Sequence, residues 1–379
     1  MNKKLFFILG VSSVFCFHAC KSSNPENPSD FNIASPTATR TVTQTLTVTD
    51  TPTPSSTMTG TATSTLTPTL SFTLTATATA SSTGTMTSTV TSVPSVTFTP
   101  TPTPILNSYV TIGDSSHFTA IECVRYLGGF LWVTDLVRNN LQEWSVGGIL
   151  QGAPVSVYGS GPTTSFLSPE GNAIDPTTGN VYVTFPNKHF VAVFDSSGSY
   201  LTSFGQAEFL SSVQPVGAVI NSSGTTVYVA QRNILLDANS VFVYAIGGTP
   251  SSPTFSYQTK LGASIDFNRP ANICLDSSEN IYVADPGANA LFKMNTSGTL
   301  LTTFMISGAF GPNDVAVDSV GKVYAPNMSD NLIYVFDSSG VNIDTFGSGI
   351  GFTPWSVAWD GLNTLYVGYQ NSWMIVGFH

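Results

Sequence analysis

The sequence predicts an all-β protein built as a closed ring of six four-stranded antiparallel sheets, and three observations carry that reading. A Pro-centred phrase recurs five times: Pro169-Glu-Gly-Asn-Ala-Ile-Asp175, Pro215-Val-Gly-Ala-Val-Ile-Asn221, Pro270-Ala-Asn-Ile-Cys-Leu-Asp276, Pro312-Asn-Asp-Val-Ala-Val-Asp318 and Pro354-Trp-Ser-Val-Ala-Trp-Asp360. A Tyr follows each Pro by twelve or thirteen residues, at 182, 228, 282, 324 and 366. An apolar segment then closes on Asp or Asn with a Ser-Gly turn and leads into one more strand, as in Ile333-Tyr-Val-Phe-Asp-Ser-Ser-Gly340 followed by Ile343-Asp-Thr-Phe-Gly347.

Each element follows from these phrases. The phrase after Pro is a short innermost strand, and the Asp that ends it is a turn residue, because Asp bonds its own backbone two residues on. The Tyr segment is the second strand and the Val-x-Val-Phe segment the third. Ser-Ser-Gly is hairpin chemistry, and Leu201-Thr-Ser-Phe-Gly205 is a typical fourth strand. A degenerate sixth copy stands ahead: Trp132-Val-Thr-Asp135 matches Tyr282-Val-Ala-Asp285, which puts Ala120 at the Pro place and Tyr126 at the Asp place. The copies start at 120, 169, 215, 270, 312 and 354, spacings of 42 to 55 residues that suit four short strands each. The fold class is therefore all-β, a six-bladed β-propeller over residues 105–379.

Ring closure is also expected. The last copy reaches only its third strand, Trp373-Met-Ile-Val-Gly-Phe-His379, while Asn107-Ser-Tyr-Val-Thr-Ile-Gly113 ahead of the first copy looks like a fourth strand. Pairing the two completes the last blade and removes an exposed edge. Cys123 and Cys274 fall on opposite blades, too far apart to bridge.

The phrases resemble the NHL-repeat family of β-propellers, whose unit reads Pro-x-Gly-[Val/Ile]-Ala-Val-Asp, then Gly-Asn-[Val/Ile]-Tyr-Val-Ala-Asp, then [Val/Ile]-x-Val-Phe-Asp. Pro312 to Asp318, Gly179-Asn-Val-Tyr-Val183 and Ile281-Tyr-Val-Ala-Asp285 carry the match, which extends over residues 108–379. It departs in blade 1 and in blade 3, where Arg232 to Asn239 and Gly247 to Ser256 look inserted. The family includes sensing, RNA-binding, scaffolding and enzymatic members, so the resemblance implies the fold and leaves the function open.

The first hundred residues cannot build a core. Lys3 and Lys4 precede an uncharged, mostly apolar run from Leu5 to Phe17, too short to span a bilayer and suited to a signal segment over residues 1–20. Ala19-Cys20 resembles the lipobox of bacterial lipoproteins, which implies a lipid anchor on Cys20; Phe17 and His18 depart from its usual aliphatic and small residues. Residues 21–104 read as a disordered Thr/Ser/Pro stalk. Between 31 and 104 only Arg40 and Asp50 are charged, and Pro at 52, 54, 68, 94, 100, 102 and 104 removes ladder donors. Its reach is roughly 240 Å fully stretched, or about 50 Å as a flexible coil. The expected location is the cell envelope, secreted, with membrane contact only through the lipid.

Charge excludes one class of partner. From residue 105 onward 19 acidic residues face 8 basic ones, a net of −11, which does not suit a phosphate backbone. Nucleic acid is therefore not expected. No G-x-S-x-G elbow, P-loop, zinc-spaced Cys pair or H-E-x-x-H is present. The expected function is a non-enzymatic surface module that recognises a protein or a glycan, with no catalytic residue and no cofactor.

The repeat register offers one polar constellation. The residue two places after each Pro begins the innermost strand near one mouth of the channel, and the six read Glu122, Gly171, Gly217, Asn272, Asp314 and Ser356. The family pattern wants Gly there, so Glu122, Asn272 and Asp314 are departures. Gluconolactonase-type propellers hold a Ca²⁺-class ion with such Glu, Asn and Asp oxygens. That similarity implies a metal-dependent hydrolase or lyase as the alternative function, with these three as ligands; solvated channel residues are the simpler account. Trp355, Glu170 and Asn313 stand just after the Pro in their copies and are candidate ligand-binding residues, the indole offering a stacking surface.

Overall fold

The computed structural model describes residues 109–159, 164–210, 212–233, 239–306 and 308–379. The signal segment with Cys20 and the stalk at 21–104 lie outside the described residues.

Among the described residues twenty-three strands form six sheets. β1 (Tyr109–Ile112) belongs to the last. Blade 1 is β2 (Ile121–Leu127), β3 (Phe130–Asp135) and β4 (Asn140–Ser145). Blade 2 is β5 (Asn172–Ile174), β6 (Val181–Phe185), β7 (Phe190–Phe194) and β8 (Tyr200–Phe204). Blade 3 is β9 (Val213–Ile220), β10 (Thr226–Asn233), β11 (Ser240–Thr249) and β12 (Ser252–Leu261). Blade 4 is β13 (Ile273–Leu275), β14 (Ile281–Asp285), β15 (Ala290–Met294) and β16 (Leu300–Phe304). Blade 5 is β17 (Ala316–Val317), β18 (Val323–Asn327), β19 (Leu332–Phe336) and β20 (Asn342–Phe346). Blade 6 is β21 (Pro354–Trp359), β22 (Leu365–Tyr369), β23 (Met374–Phe378) and, outermost, β1. The expected closure holds: Tyr109 to Ile112 pair antiparallel with Phe378 to Ile375.

Two expectations are refined. Among the described residues blade 1 has three strands rather than four; beyond β4 isolated bridges from Leu150 to Trp144 and Val155 to Leu141 continue the sheet. Its first hairpin turns on Gly128-Gly129, both at positive φ, a two-residue turn that needs no Asp. In blade 3 the second insertion is the tip of a long β11–β12 hairpin, and the first extends β10 to Asn233.

The core is divided among the blade junctions. Each of six apolar clusters draws on two neighbouring blades, and the one sealing the ring joins Ile112, Tyr366 and Ile375 to Ile121, Val124 and Trp144. Middle strands are covered on both faces, so every residue of β6, β14 and β22 is buried. Such strands read as continuous apolar runs, whereas β16 and β20 at the rim are largely exposed. The repeated acids are turn residues as expected: Asp276 accepts the Ser278 and Asn280 N–H groups, and Asp318 those of Val320 and Lys322.

The inner strands approach one another closely at the channel. A Cβ on Gly217 would lie 2.6 Å from the Ala271 carbonyl, and one on Gly171 would collide with the Val216 carbonyl, which accepts the Gly171 N–H. Glycine stands at this repeat position in blades 2 and 3 because backbone occupies the space of a side chain.

A candidate ligand pocket at the channel mouth

The six inner strands start at one mouth of the channel, and the loops there enclose a cavity of about 320 Å³. Five of the six sequence-predicted residues line it: Glu122, Glu170, Asn272, Asn313 and Trp355. They come from blades 1, 2, 4, 5 and 6. Asp314 is not among them.

Asp314 is fully buried and its oxygens are taken. Arg125 of β2 reaches across the channel and donates twice, Nη1 to Oδ2 at 2.8 Å and Nη2 to Oδ1 at 3.1 Å. Ser356 Oγ donates to Oδ2 at 2.6 Å, and the Val357 and Val315 N–H groups complete the set. Burial alone would lower the Arg125 pKa, but Asp314 outweighs it and the guanidinium is held charged. Bidentate, charge-assisted pairing of this kind fixes geometry strongly. Ser356 also accepts the Val124 N–H at 2.8 Å, so blades 1, 5 and 6 are tied together inside the ring.

The Ca²⁺-class grouping expected of Glu122, Asn272 and Asp314 does not fit this arrangement. A resident guanidinium already neutralises Asp314, and hard cations want several convergent oxygens.

Cys123 and Cys274 are both free, as expected from their opposite blades. Burial pushes the Cys123 thiol up to about 12 and raises Cys274 as well, so neither is a thiolate at neutral pH.

At the mouth the electrostatics differ. Glu122 is 7% exposed; burial, reinforced by the Glu170 carboxylate, pushes its pKa up to about 8 against a milder opposing pull from Trp355. Its carboxyl is therefore protonated at pH 7, and its polar contact is a long one, from Gln370 Nε2 at 3.4 Å. Glu170 is also raised by burial, opposed by Arg232, which pairs with it at 3.1 Å. Asn272 Oδ1 is buried with no hydrogen bond among the described residues, and the buried Trp355 Nε1 has the Glu122 carboxyl beside it. The Trp355 side chain is half-buried rather than freely exposed.

Sequence reasoning missed Arg125, Arg232, Arg269 and Gln370. Arg125 stands three residues after Glu122, where the other copies carry Ile174, Ile220, Leu275, Val317 and Trp359; a charge at an apolar repeat position was the visible signal. Counting four residues from Trp132 and from the repeat Tyr of blades 3, 4 and 6 gives Leu136, Arg232, Pro286 and Gln370, and all four line the cavity. This second ring, at the mouth end of the second strand, is readable from the same alignment. Arg269 precedes Pro270, and its backbone N–H is anchored by Asp285 Oδ1 at 2.8 Å.

No protein-family model matches the chain, the NHL repeat included, and no curated protein matches it in sequence. Solved structures do match. A gluconolactonase from Xanthomonas campestris superimposes with a TM-score of 0.53 at 14% identity, over 72% of this chain and 89% of its own. A Bacteroides thetaiotaomicron protein of unknown function gives 0.51 at 12% identity, over 76% and 78%. Virginiamycin B lyase from Staphylococcus aureus gives 0.50 at 12% identity, over 71% and 98%. At such identities the likeness establishes the fold alone: the described residues form a six-bladed β-propeller similar in architecture to the gluconolactonase and virginiamycin B lyase structures.

Proposed function

We propose that the chain is a binding module whose propeller takes a small polar group, a sugar unit of a glycan or a side chain of a protein, in the cavity at its channel mouth. The observation that carries this reading is the convergence of Glu122, Glu170, Asn272, Asn313 and Trp355, from five different blades, on one cavity. Among the described residues the lining contains carboxyl, amide, guanidinium and indole groups and no Ser, Cys or His nucleophile. The Thr/Ser/Pro stalk and a lipid on Cys20 would tether the propeller to the cell envelope. The acidic balance argues against a nucleic-acid partner. A glycan array probed with the purified protein and with Trp355→Ala tests the reading. Specific signals lost in the variant support it; signals unchanged in the variant would remove the cavity from the account.

A hydrolase or lyase is the second reading, favoured by the protonated Glu122 beside the ion-paired Glu170, since a neutral and a charge-paired carboxyl on one cavity suit acid–base work. Turnover of a lactone or glycoside by the wild-type protein, abolished in Glu122→Gln with binding retained, would establish it in place of the first.

A further inference from the structure

Resting on the binding reading, we propose that the cavity is selective for an anionic sugar residue, a hexuronic acid, whose ring carboxylate docks on Arg269 while its hydroxyls engage Glu122, Asn272 and Asn313.

The argument begins with charge. The propeller is strongly acidic, yet two of its eight basic residues, Arg232 and Arg269, line this one cavity. Arg232 is committed: Nη2 lies 3.1 and 3.4 Å from the two Glu170 oxygens, and the side chain also bonds Gln214 Oε1 at 3.2 Å. Arg269 is exposed; its charge acts on the Glu170 carboxylate, but among the described residues no carboxylate oxygen stands within ion-pair distance of its guanidinium. With the Glu170–Arg232 pair neutral and Glu122 uncharged, the cavity carries about one positive charge, on a fork that matches a carboxylate bidentately. A dianion such as a phosphate monoester would be only half compensated and would meet the Glu122 and Glu170 oxygens.

The remaining lining describes the rest of the ligand. Asn272 is 3% exposed, and its orphaned Oδ1 needs a donor. A neutral carboxyl at Glu122 both donates and accepts, and the Asn313 and Gln370 amides do the same. A hydroxyl is the common group that satisfies all of these, and several hydroxyls at fixed spacing describe a pyranose ring. The apolar wall of Trp355, Leu136 and Val216 suits a ring's C–H face. A partner protein's Glu or Asp side chain would reach Arg269 but leave the amides unpaired, which is costly when they are buried.

Calorimetric titration of the full chain with methyl glucuronoside, methyl galacturonoside, methyl glucoside and glucose 6-sulfate tests the proposal, alongside Arg269→Gln, Glu122→Gln and Trp355→Ala. The expected result is binding of a uronoside at least ten-fold tighter than the glucoside, with that preference lost in Arg269→Gln. Glu122→Gln, which replaces a carboxyl O–H donor facing the hydroxyls, should weaken uronoside and glucoside binding alike. Equal binding of glucoside and uronoside, both lost in Trp355→Ala, would overturn the anionic selectivity and leave the cavity reading intact. A preference for the sulfate over both uronosides, or a uronoside preference unchanged in Arg269→Gln, also overturns it. If no sugar binds wild type, this inference falls, and the glycan-array result decides the broader reading separately.

Discussion

Glu122 and Asp314 stand at the same place in their repeats, two residues after the Pro position, and the protein treats them in opposite ways. Asp314 sits inside the ring with a guanidinium, a hydroxyl and two backbone N–H groups on its oxygens. Glu122 opens on the mouth cavity, next to another carboxylate, and stays protonated at pH 7. A buried carboxylate is tolerated when enough donors converge on it; without them it takes up a proton instead. The interior around Asp314 is therefore saturated and structural, while the mouth keeps open valences that a ligand can fill.

The largest effect should come from breaking the interior. Asp314→Ala leaves Arg125 charged, 14% exposed and unpaired between blades, which costs about 3–5 kcal/mol by analogy with other broken buried pairs. Urea denaturation of wild type and variant measures it. The double variant Arg125→Met, Asp314→Leu should recover most of the loss, because the cost lies in the orphaned charge and not in the missing attraction. Equal instability of single and double variants would mean that the network's hydrogen bonds, rather than the charge, hold the ring.

The mouth should show its character in the pH dependence of stability. Glu122 has a folded pKa of about 8 against a reference of 4.5, so the folded state binds the extra proton. Stability contributed by the neutral form is present below the unfolded value and is lost as pH rises from about 4.5 through 8. The charged groups acting on it are Glu170 and Asp314, which raise its pKa, and Arg232, which lowers it. The loss at pH 9 is on the order of a few kcal/mol. Glu122→Gln should flatten this part of the profile and make the variant more stable than wild type at pH 9. Melting curves at pH 5, 7 and 9 decide the matter; parallel profiles would show that Glu122 ionises freely.

Much of this comparison was legible in the sequence, though not its sense. The blade count, the closure by β1 and the mouth position of Glu122, Glu170, Asn272, Asn313 and Trp355 all follow from the phrase after Pro, because inner strands are short and held in register by burial on both faces. The fate of Asp314 did not follow, since its partner lies in the degenerate first copy and 189 residues away in the chain. Arg269 was obscured for a different reason. It lies in the segment ahead of its repeat Pro, whose length varies from blade to blade, so no fixed phrase surrounds it.

The glycine half of the same repeat position sharpens the contrast. Gly217→Ala places a methyl 2.6 Å from the Ala271 carbonyl and 2.7 Å from the Asn272 Cα, and neither backbone atom can step aside cheaply. About 1–3 kcal/mol of destabilisation is expected. Because Asn272 lines the cavity, uronoside affinity should fall as well. Loss of stability with full affinity would show that the mouth is insulated from inner-strand packing.

The smallest effect is the most discriminating. Ser356 shares the repeat position with Glu122 and Asp314 and connects the two sides of the closed ring: it donates to Asp314 at 2.6 Å and accepts from the Val124 N–H at 2.8 Å. Ser356→Ala removes one donor from a carboxylate that keeps Arg125, Val315 and Val357, and strands a single buried N–H on β2. A cost of about 1–2 kcal/mol follows from one unsatisfied backbone donor plus one lost charge-assisted bond. Ser356→Gly, which also frees the hydroxyl's space, allows a water to bridge the two and should cost less than its weaker strand propensity alone would suggest. A variant Ser356→Ala as stable as wild type would show that Arg125 alone closes the interior, and that the mouth and the interior differ only in having or lacking that one cation.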